Sequence, residues 1–265
     1  SVQIPGDAFI QNNTAEFGGG VAAMDGGSVQ IPGDAFIQNN TAEFGGGVAV
    51  MDGGSMQIPG DAFIQNNTAQ TGGGIAIEPG GGLEIKRPEM DGATAAFPSE
   101  VIAFIQNNTA EFGGGLFNKG DATIEDALFE NNQANAGGGV YNATGGTLLV
   151  QNTEFIGNSA VDGTSLLLTT GGAISTEENA TTEVMNSLFC LNTPDAIAGP
   201  WEDLGGNQFN PASDLNCDGV VNVFDLLLLL ENWGACDDPG DCPADLNGDG
   251  QVNVFDLLSL LENWG

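Results

Sequence analysis

The sequence predicts an all-β solenoid, a right-handed parallel β-helix, followed by a small α-helical domain. Three observations carry this: a 27-residue unit repeated in tandem at the start, three short strand patterns inside each unit, and an acidic twelve-residue loop that occurs twice near the end. A fixed period of this size marks a stacked-repeat architecture, because each unit buries its apolar face only against its neighbours.

Residues 1–27 and 28–54 differ at one position, Ala23 against Val50, and residues 55–81 keep Gln-Ile-Pro-Gly-Asp-Ala-Phe-Ile-Gln-Asn-Asn-Thr-Ala and the triple glycine. Degenerate copies begin near Phe104, Phe129, Phe155 and Phe189, giving about seven coils with insertions near residues 86–98 and 163–170. In the first unit Ser1-Val2-Gln3-Ile4 stops at Pro5-Gly6-Asp7, Ala8-Phe9-Ile10-Gln11 stops at Asn12-Asn13, and Gly20-Val21-Ala22-Ala23 stops at Asp25-Gly26-Gly27. Three such strands make one coil, and coils stack about 4.8 Å apart, so equivalent residues form ladders. Phe9, Phe36 and Phe63 are expected inside, because the later neighbours Glu130 and Glu154 are charged. Asn12, Asn39 and Asn66 are expected to form an amide ladder at a turn. Asp7, Asp34 and Asp61 are expected to stack as a carboxylate ladder, read either as a weak calcium site or as an exposed turn.

Residues 1–198 are read as the β-helix, 199–212 as a linker or cap with Trp201 over the open end, and 213–265 as the C-terminal domain. Its two loops run from Asp214 to Asp225 and from Asp245 to Asp256. Loop positions 1, 3, 5, 9 and 12 carry oxygen side chains: Asp214, Asn216, Asp218, Asn222 and Asp225, then Asp245, Asn247, Asp249, Asn253 and Asp256. The main-chain carbonyls of Val220 and Gln251 supply position 7, and Gly219 and Gly250 permit the turn at position 6. This donor set suits Ca²⁺, which takes six to eight hard oxygen ligands, so two ions are expected. Residues 224–233 and 255–264 read as helices of about three turns, too short to stand alone. They are expected to pair, ending at Gly234 and Gly265.

A loop followed by one helix, duplicated, with Asp rather than Glu at position 12, resembles the dockerin type I module over residues 213–265. That resemblance implies a cohesin-like or cell-surface protein partner, facing Val223, Phe224, Val254 and Phe255. It also implies a secreted, extracellular or cell-surface setting. The Phe-x-x-Asn and triple-glycine units of residues 1–192 resemble the repeats of chlamydial polymorphic outer-membrane proteins, which implies a surface-displayed, adhesive β-helix.

With 36 acidic residues against three cations (Lys86, Arg87 and Lys119), no histidine and a net charge of −33, the chain repels nucleic acid and anionic lipid. The longest apolar run, residues 226–230, is far too short for membrane insertion. The chain begins with Ser1 inside a repeat and not with methionine, so it is read as a mature form or a fragment lacking its N-terminal cap, with no signal peptide expected within it. Four cysteines, Cys190, Cys217, Cys236 and Cys242, allow three pairings, and Cys236 and Cys242 are spaced to close a small loop. Nucleophile–histidine catalysis is excluded by composition. The reading is therefore a non-catalytic, calcium-binding surface, adhesion or scaffold protein, with no catalytic residues assigned. The alternative is a β-helix polysaccharide lyase or glycoside hydrolase acting on a polysaccharide.

Overall fold

A computed structural model describes residues 1–4, 7–86, 101–161, 170–236 and 242–265. The expected insertions near 86–98 and 163–170, and Arg87 with them, lie almost wholly outside the described residues. Two compact units emerge, Ser1–Gln208 and Phe209–Gly265.

The first unit is a parallel β-helix with three faces. One eight-stranded sheet runs from Val2–Gln3 through Ser28–Gln30, Ser55–Ile58, Gly82–Ile85, Asp121–Glu125, Thr147–Gln151 and Thr181–Met185 to Glu202–Asp203. A second begins at Ala8–Gln11, Ala35–Gln38, Ala62–Gln65 and Ala103–Gln106, and continues through Ala127–Glu130, Glu154–Ile156 and Leu188–Cys190. A seven-stranded third sheet runs from Val21–Ala23 to Asp195–Ala198. Among the described residues the pairings in these sheets are parallel and join equivalent residues of successive coils, as in Phe36 with Phe63 and Phe63 with Phe104, with one register shift between Gly171 and Ile174.

The core corrects the expected direction of the first phenylalanines. In Ala-Phe-Ile-Gln the first and third residues face inward: Ala35, Ile37, Ala62, Ile64, Ala103 and Ile105 are completely buried. Phe9 is exposed and Phe36, Phe63 and Phe104 are half-buried. They still stack, at 4.9, 4.8 and 4.8 Å between centroids, but on the outer surface. Phe129 pairs with Ile105, not Phe104, so it is the third residue of its strand and points inward. Phe129, Phe155 and Phe189 form an inner stack at 5.0 and 5.1 Å. The charged neighbours Glu130 and Glu154 report the direction of those later rings, one register step away from the earlier ones, and one step reverses the face.

The amide ladder is also displaced by one residue. Asn12, Asn39, Asn66 and Asn107 occupy the left-handed region, φ +57, +55, +55 and +54°, and are exposed. An asparagine tolerates that conformation better than most residues. The ladder is made by the next residue, Asn13–Asn40–Asn67–Asn108–Asn132–Asn158–Asn192, with Nδ2–H···Oδ1 distances of 2.9–3.1 Å. Each acceptor oxygen also takes the backbone N–H of the preceding rung, as Asn67 Oδ1 does from Asn40 at 3.0 Å. Each Asn-Asn pair thus makes a turn with its first member and a buried ladder with its second. The rung spacings in sequence are 27, 27, 41, 24, 26 and 34 residues.

At the glycine corner the coils touch backbone to backbone. A Cβ on Gly46 would lie 2.4 Å from the carbonyl oxygen of Gly73, which explains the middle glycine of the triplet. Trp201 is partly buried and packs against the solenoid core.

In the second unit, α1 spans Val223–Glu231 and α2 spans Val254–Glu262. Both stop earlier than expected. Asn232 and Asn263 are the C-caps, and their side-chain amides donate to the carbonyls of Leu228 and Ser259 at 2.8 and 3.0 Å. Gly234 and Gly265 lie beyond the caps. Leu229 and Leu260 are fully buried in one small core with Val221, Val252 and Ala244.

Candidate metal centre

Each acidic loop is organised by its own carboxylates. The Asp214 oxygens accept the N–H groups of Asp218 at 3.2 Å and Gly219 at 2.8 Å. Asp225 accepts those of Asn216 and Asn222, so position 12 closes the loop onto positions 3 and 9. Asn216 Nδ2 donates to Asp218 Oδ2 at 2.9 Å, and Asn222 Nδ2 donates to the Val220 carbonyl at 2.9 Å. All six expected positions of the first loop therefore share one hydrogen-bonded turn.

The second loop repeats the pattern. Asp245 accepts Asp249 and Gly250 N–H at 3.2 and 2.7 Å. Asp256 accepts Asn247 and Asn253 N–H at 3.2 and 2.7 Å. Asn247 Oδ1 accepts Asp249 N–H at 2.9 Å, and Asn253 Nδ2 donates to the Gln251 carbonyl at 3.1 Å.

Asn222 and Asp225, and Asn253 and Asp256, are also helix capping boxes. The asparagine caps Phe224 or Phe255, and the aspartate three residues on returns to the cap's own N–H. Sequence reasoning reached these four residues only as metal ligands, although Asn-x-x-Asp before an apolar run carries both signals.

The donor chemistry fits a hard cation. Asp214, Asp225 and Asp256 are completely buried, yet residues 209–265 contain eleven Asp and Glu and no Lys, Arg or His. Buried carboxylates need a compensating charge or several N–H donors, and no side-chain cation of this unit can supply the charge. Hydrogen bonds from Asn216 and the Val220 N–H, the first named being the larger effect, hold the exposed Asp218 carboxyl below its usual range. Among the described residues no group of three or more His, Cys, Asp or Glu side chains is already gathered as a metal shell. Half of each loop's expected donors are asparagines and a carbonyl, and its carboxylates turn onto backbone amides.

Two features behind the second loop escaped the sequence. Gly234–Ala235 pairs antiparallel with Gln251–Val252, and Cys236 N–H donates to the Gly250 carbonyl at 3.1 Å. Cys236 and Cys242 form a disulfide, as their spacing suggested, and no described cysteine is free.

The outer helix faces are apolar and unfilled within the unit. Val223, Phe224, Leu227, Leu230 and Trp233 are 47–61% exposed, and Val254, Phe255, Leu258, Leu261 and Trp264 are 45–62% exposed. The two sets occupy equivalent positions.

On the β-helix, Asp7, Asp34 and Asp61 are exposed rungs held in register by Ala8 N–H to Asp34 O and Ala35 N–H to Asp61 O. The ladder ends there, since Ala62 N–H bonds to Ile102 O. Tyr141 is buried among Phe112, Phe117, Ala136 and Ala143, and its hydroxyl donates to Glu177. Burial first, and then Glu177, push the phenol well above its ordinary range. Partial burial raises Glu177, but bonds from Tyr141 and from Thr144 N–H and Oγ1–H, with Lys119 charge, leave it lowered.

Stacked coils with a C-terminal pair of acidic loop–helix units define a modular class, a solenoid joined to a small loop–helix module. The chain belongs to the right-handed β-helix family, whose model matches residues 2–189. Residues 212–263 match the dockerin type I domain, a family that binds calcium and typically binds cohesins. The narrower likeness to chlamydial polymorphic outer-membrane proteins is not supported by either match. No curated protein and no solved structure matches the chain. Among the described residues no helix is long and apolar enough to cross a membrane.

Proposed function

We propose that this chain is a non-catalytic, extracellular display or scaffold protein, in which the β-helix is attached or assembled through a calcium-dependent C-terminal module. Asp214, Asn216, Asp218, the Val220 carbonyl, Asn222 and Asp225 hold one calcium ion. Asp245, Asn247, Asp249, the Gln251 carbonyl, Asn253 and Asp256 hold the second. The ions neutralise the buried carboxylates and fix the N-termini of α1 and α2, which sets the direction of both helices.

The observation that carries this reading is the repeated apolar face on those helices. A repeated exposed apolar face, on a unit with eleven Asp and Glu and no Lys, Arg or His, fits a protein-binding surface. The partner it fits is a cohesin-like protein with an apolar centre and a basic rim. The solenoid's outer ladders repeat from coil to coil instead of gathering differentiated groups, which favours display over catalysis, since an acid and a base need different environments.

The test is a pull-down of the full chain on a panel of cohesin modules and on acidic and neutral polysaccharides, with calcium and with chelator, followed by product analysis. Calcium-dependent capture by a cohesin, abolished by Phe224→Ala with Phe255→Ala, supports the reading. Shortened or unsaturated polysaccharide products would replace it with the lyase or glycosidase alternative.

A further inference from the structure

The two acidic loops differ at position 4. Loop one has Cys217 there, disulfide-bonded and at φ +58°, and loop two has Gly248 at φ +73°. Asn247-Gly248 is the single Asn-Gly pair in the chain. Asparagine is a thermolabile residue, and glycine, with no Cβ, leaves its backbone nitrogen open to the preceding side chain.

Local structure adds to that chemistry. Asn247 is exposed, and a Cβ built on Gly248 would meet no heavy atom within 4 Å. In loop one, Asn216 Nδ2 is held by Asp218 Oδ2 at 2.9 Å. In loop two, Asn247 Nδ2 has no hydrogen-bond partner among the described residues. The equivalent leaving group is therefore tethered in one loop and loose in the other.

We propose that Asn247 is a self-deamidation site, open when the second loop lacks its cation and protected when the loop is filled. This inference rests on reading residues 245–256 as a calcium loop. The Gly248 nitrogen attacks Asn247 Cγ and its proton passes to hydroxide. The Cγ–Nδ2 bond breaks, and Nδ2 leaves as ammonia with a proton taken from water. A second water opens the five-membered imide at either carbonyl, leaving aspartate or isoaspartate at position 247. The net change is one water consumed and one ammonia released, with no oxidant or reductant. Ring closure requires the Asn247 side chain to leave Asp249 N–H and the Gly248 N–H to leave Asp245 Oδ1, which it meets at 2.9 Å, and any ligand that fixes Asn247 Oδ1 opposes that rearrangement. Aspartate adds a fourth carboxylate to the loop, and isoaspartate lengthens its backbone by one carbon between positions 3 and 4. Only the second site ages in this way, so the module records time spent without calcium.

The test incubates the full chain at mildly alkaline pH with calcium and with chelator, and maps peptides by mass spectrometry with isoaspartate detection. The amide-to-acid mass gain is expected at position 247 several-fold faster in chelator than in calcium, with little at Asn216. Gly248→Asn, which tolerates the left-handed backbone but obstructs the ring, is expected to slow it to the Asn216 rate. No gain at 247, or a rate equal to that of Asn216, would overturn the inference. A calcium titration of the same samples separates the two readings. Equal rates despite measured binding at loop two refute the protection, whereas absent binding refutes the calcium reading itself.

Discussion

The two oxygens of Asp225 receive two different backbone amides, Oδ1 that of Asn216 at 3.1 Å and Oδ2 that of Asn222 at 2.8 Å. One side chain thus closes the acidic loop and caps the helix that follows. Asp225→Ala is expected to lose helix content as well as an ion, because the capping box loses the N3 carboxylate that accepts the Asn222 N–H. Circular dichroism in chelator reads the cap and calorimetric titration reads the site. Wild-type helicity in the chelated variant would refute the capping role.

The displaced amide ladder separates neighbouring asparagines. Asn67 is buried, donates to Asn108 Oδ1 and Ile37 O, and accepts from Asn40. Asn67→Ala strands several of these groups, each at about 1–3 kcal/mol, and is expected to melt the β-helix at a much lower temperature. Asn66→Gly, at an exposed left-handed position, is expected to leave the melting temperature nearly unchanged.

Adjacent apolar residues in one strand should respond unequally to truncation. Ile37→Ala removes a fully buried side chain and is expected to cost about 2–5 kcal/mol. Phe36→Ser, on the outer stack, is expected to cost less than half as much in denaturant unfolding. Equal losses would mean that the outer rings carry as much of the stability as the core.

Coil-to-coil contact at the glycine corner leaves no room for a side chain. With a Cβ 2.4 Å from Gly73 O, Gly46→Ala must push two coils apart. Loss of cooperative unfolding or of soluble protein is the expected outcome, against a mild effect for Gly26→Ala, where nothing lies within 4 Å and only the left-handed backbone objects.

The Tyr141–Glu177 pair predicts a stability profile with two edges. The phenol is raised above its unfolded 10.0, so its contribution is complete below pH 10 and declines as pH rises beyond it. Glu177 is lowered from 4.5, so its contribution is present above that value and declines as pH falls toward the folded value. Tyr141→Phe is expected to flatten the alkaline edge and to lower neutral stability by about 1.5–3 kcal/mol, the range for a bond to a charged group. Urea unfolding across pH reads both.

The coil period, the three strands, and both acidic loops were legible because each is written several times in the chain. Direction was not. Ala-Phe-Ile-Gln offers two apolar residues on one face and one large ring on the other, and a four-residue strand contains nothing that fixes which face is inside. Glu130 and Glu154 pointed correctly for Phe129 and Phe155, but the alignment of Phe129 with Phe104 was one residue off. Asn-Asn posed the same problem, since left-handed geometry and ladder bonding both select asparagine. The helix ends were missed because the glycines hid the caps that Asn232 and Asn263 make with their own side chains.

Coils with the same side chains rung after rung cannot tell one neighbour from another. Sliding the first repeats along the stack by 27 residues would restore nearly every contact, and tandem repeats are known to misassemble in this way. The 41-residue step from Asn67 to Asn108 and the 34-residue step from Asn158 to Asn192 cannot be matched by such a slide. Nor can the inner rings of Phe129, Phe155 and Phe189 replace Ile37 or Ile64 at equal volume. The irregular half of the solenoid therefore gives its interchangeable half an address, and removing those irregularities would yield a stack with many nearly equal alignments.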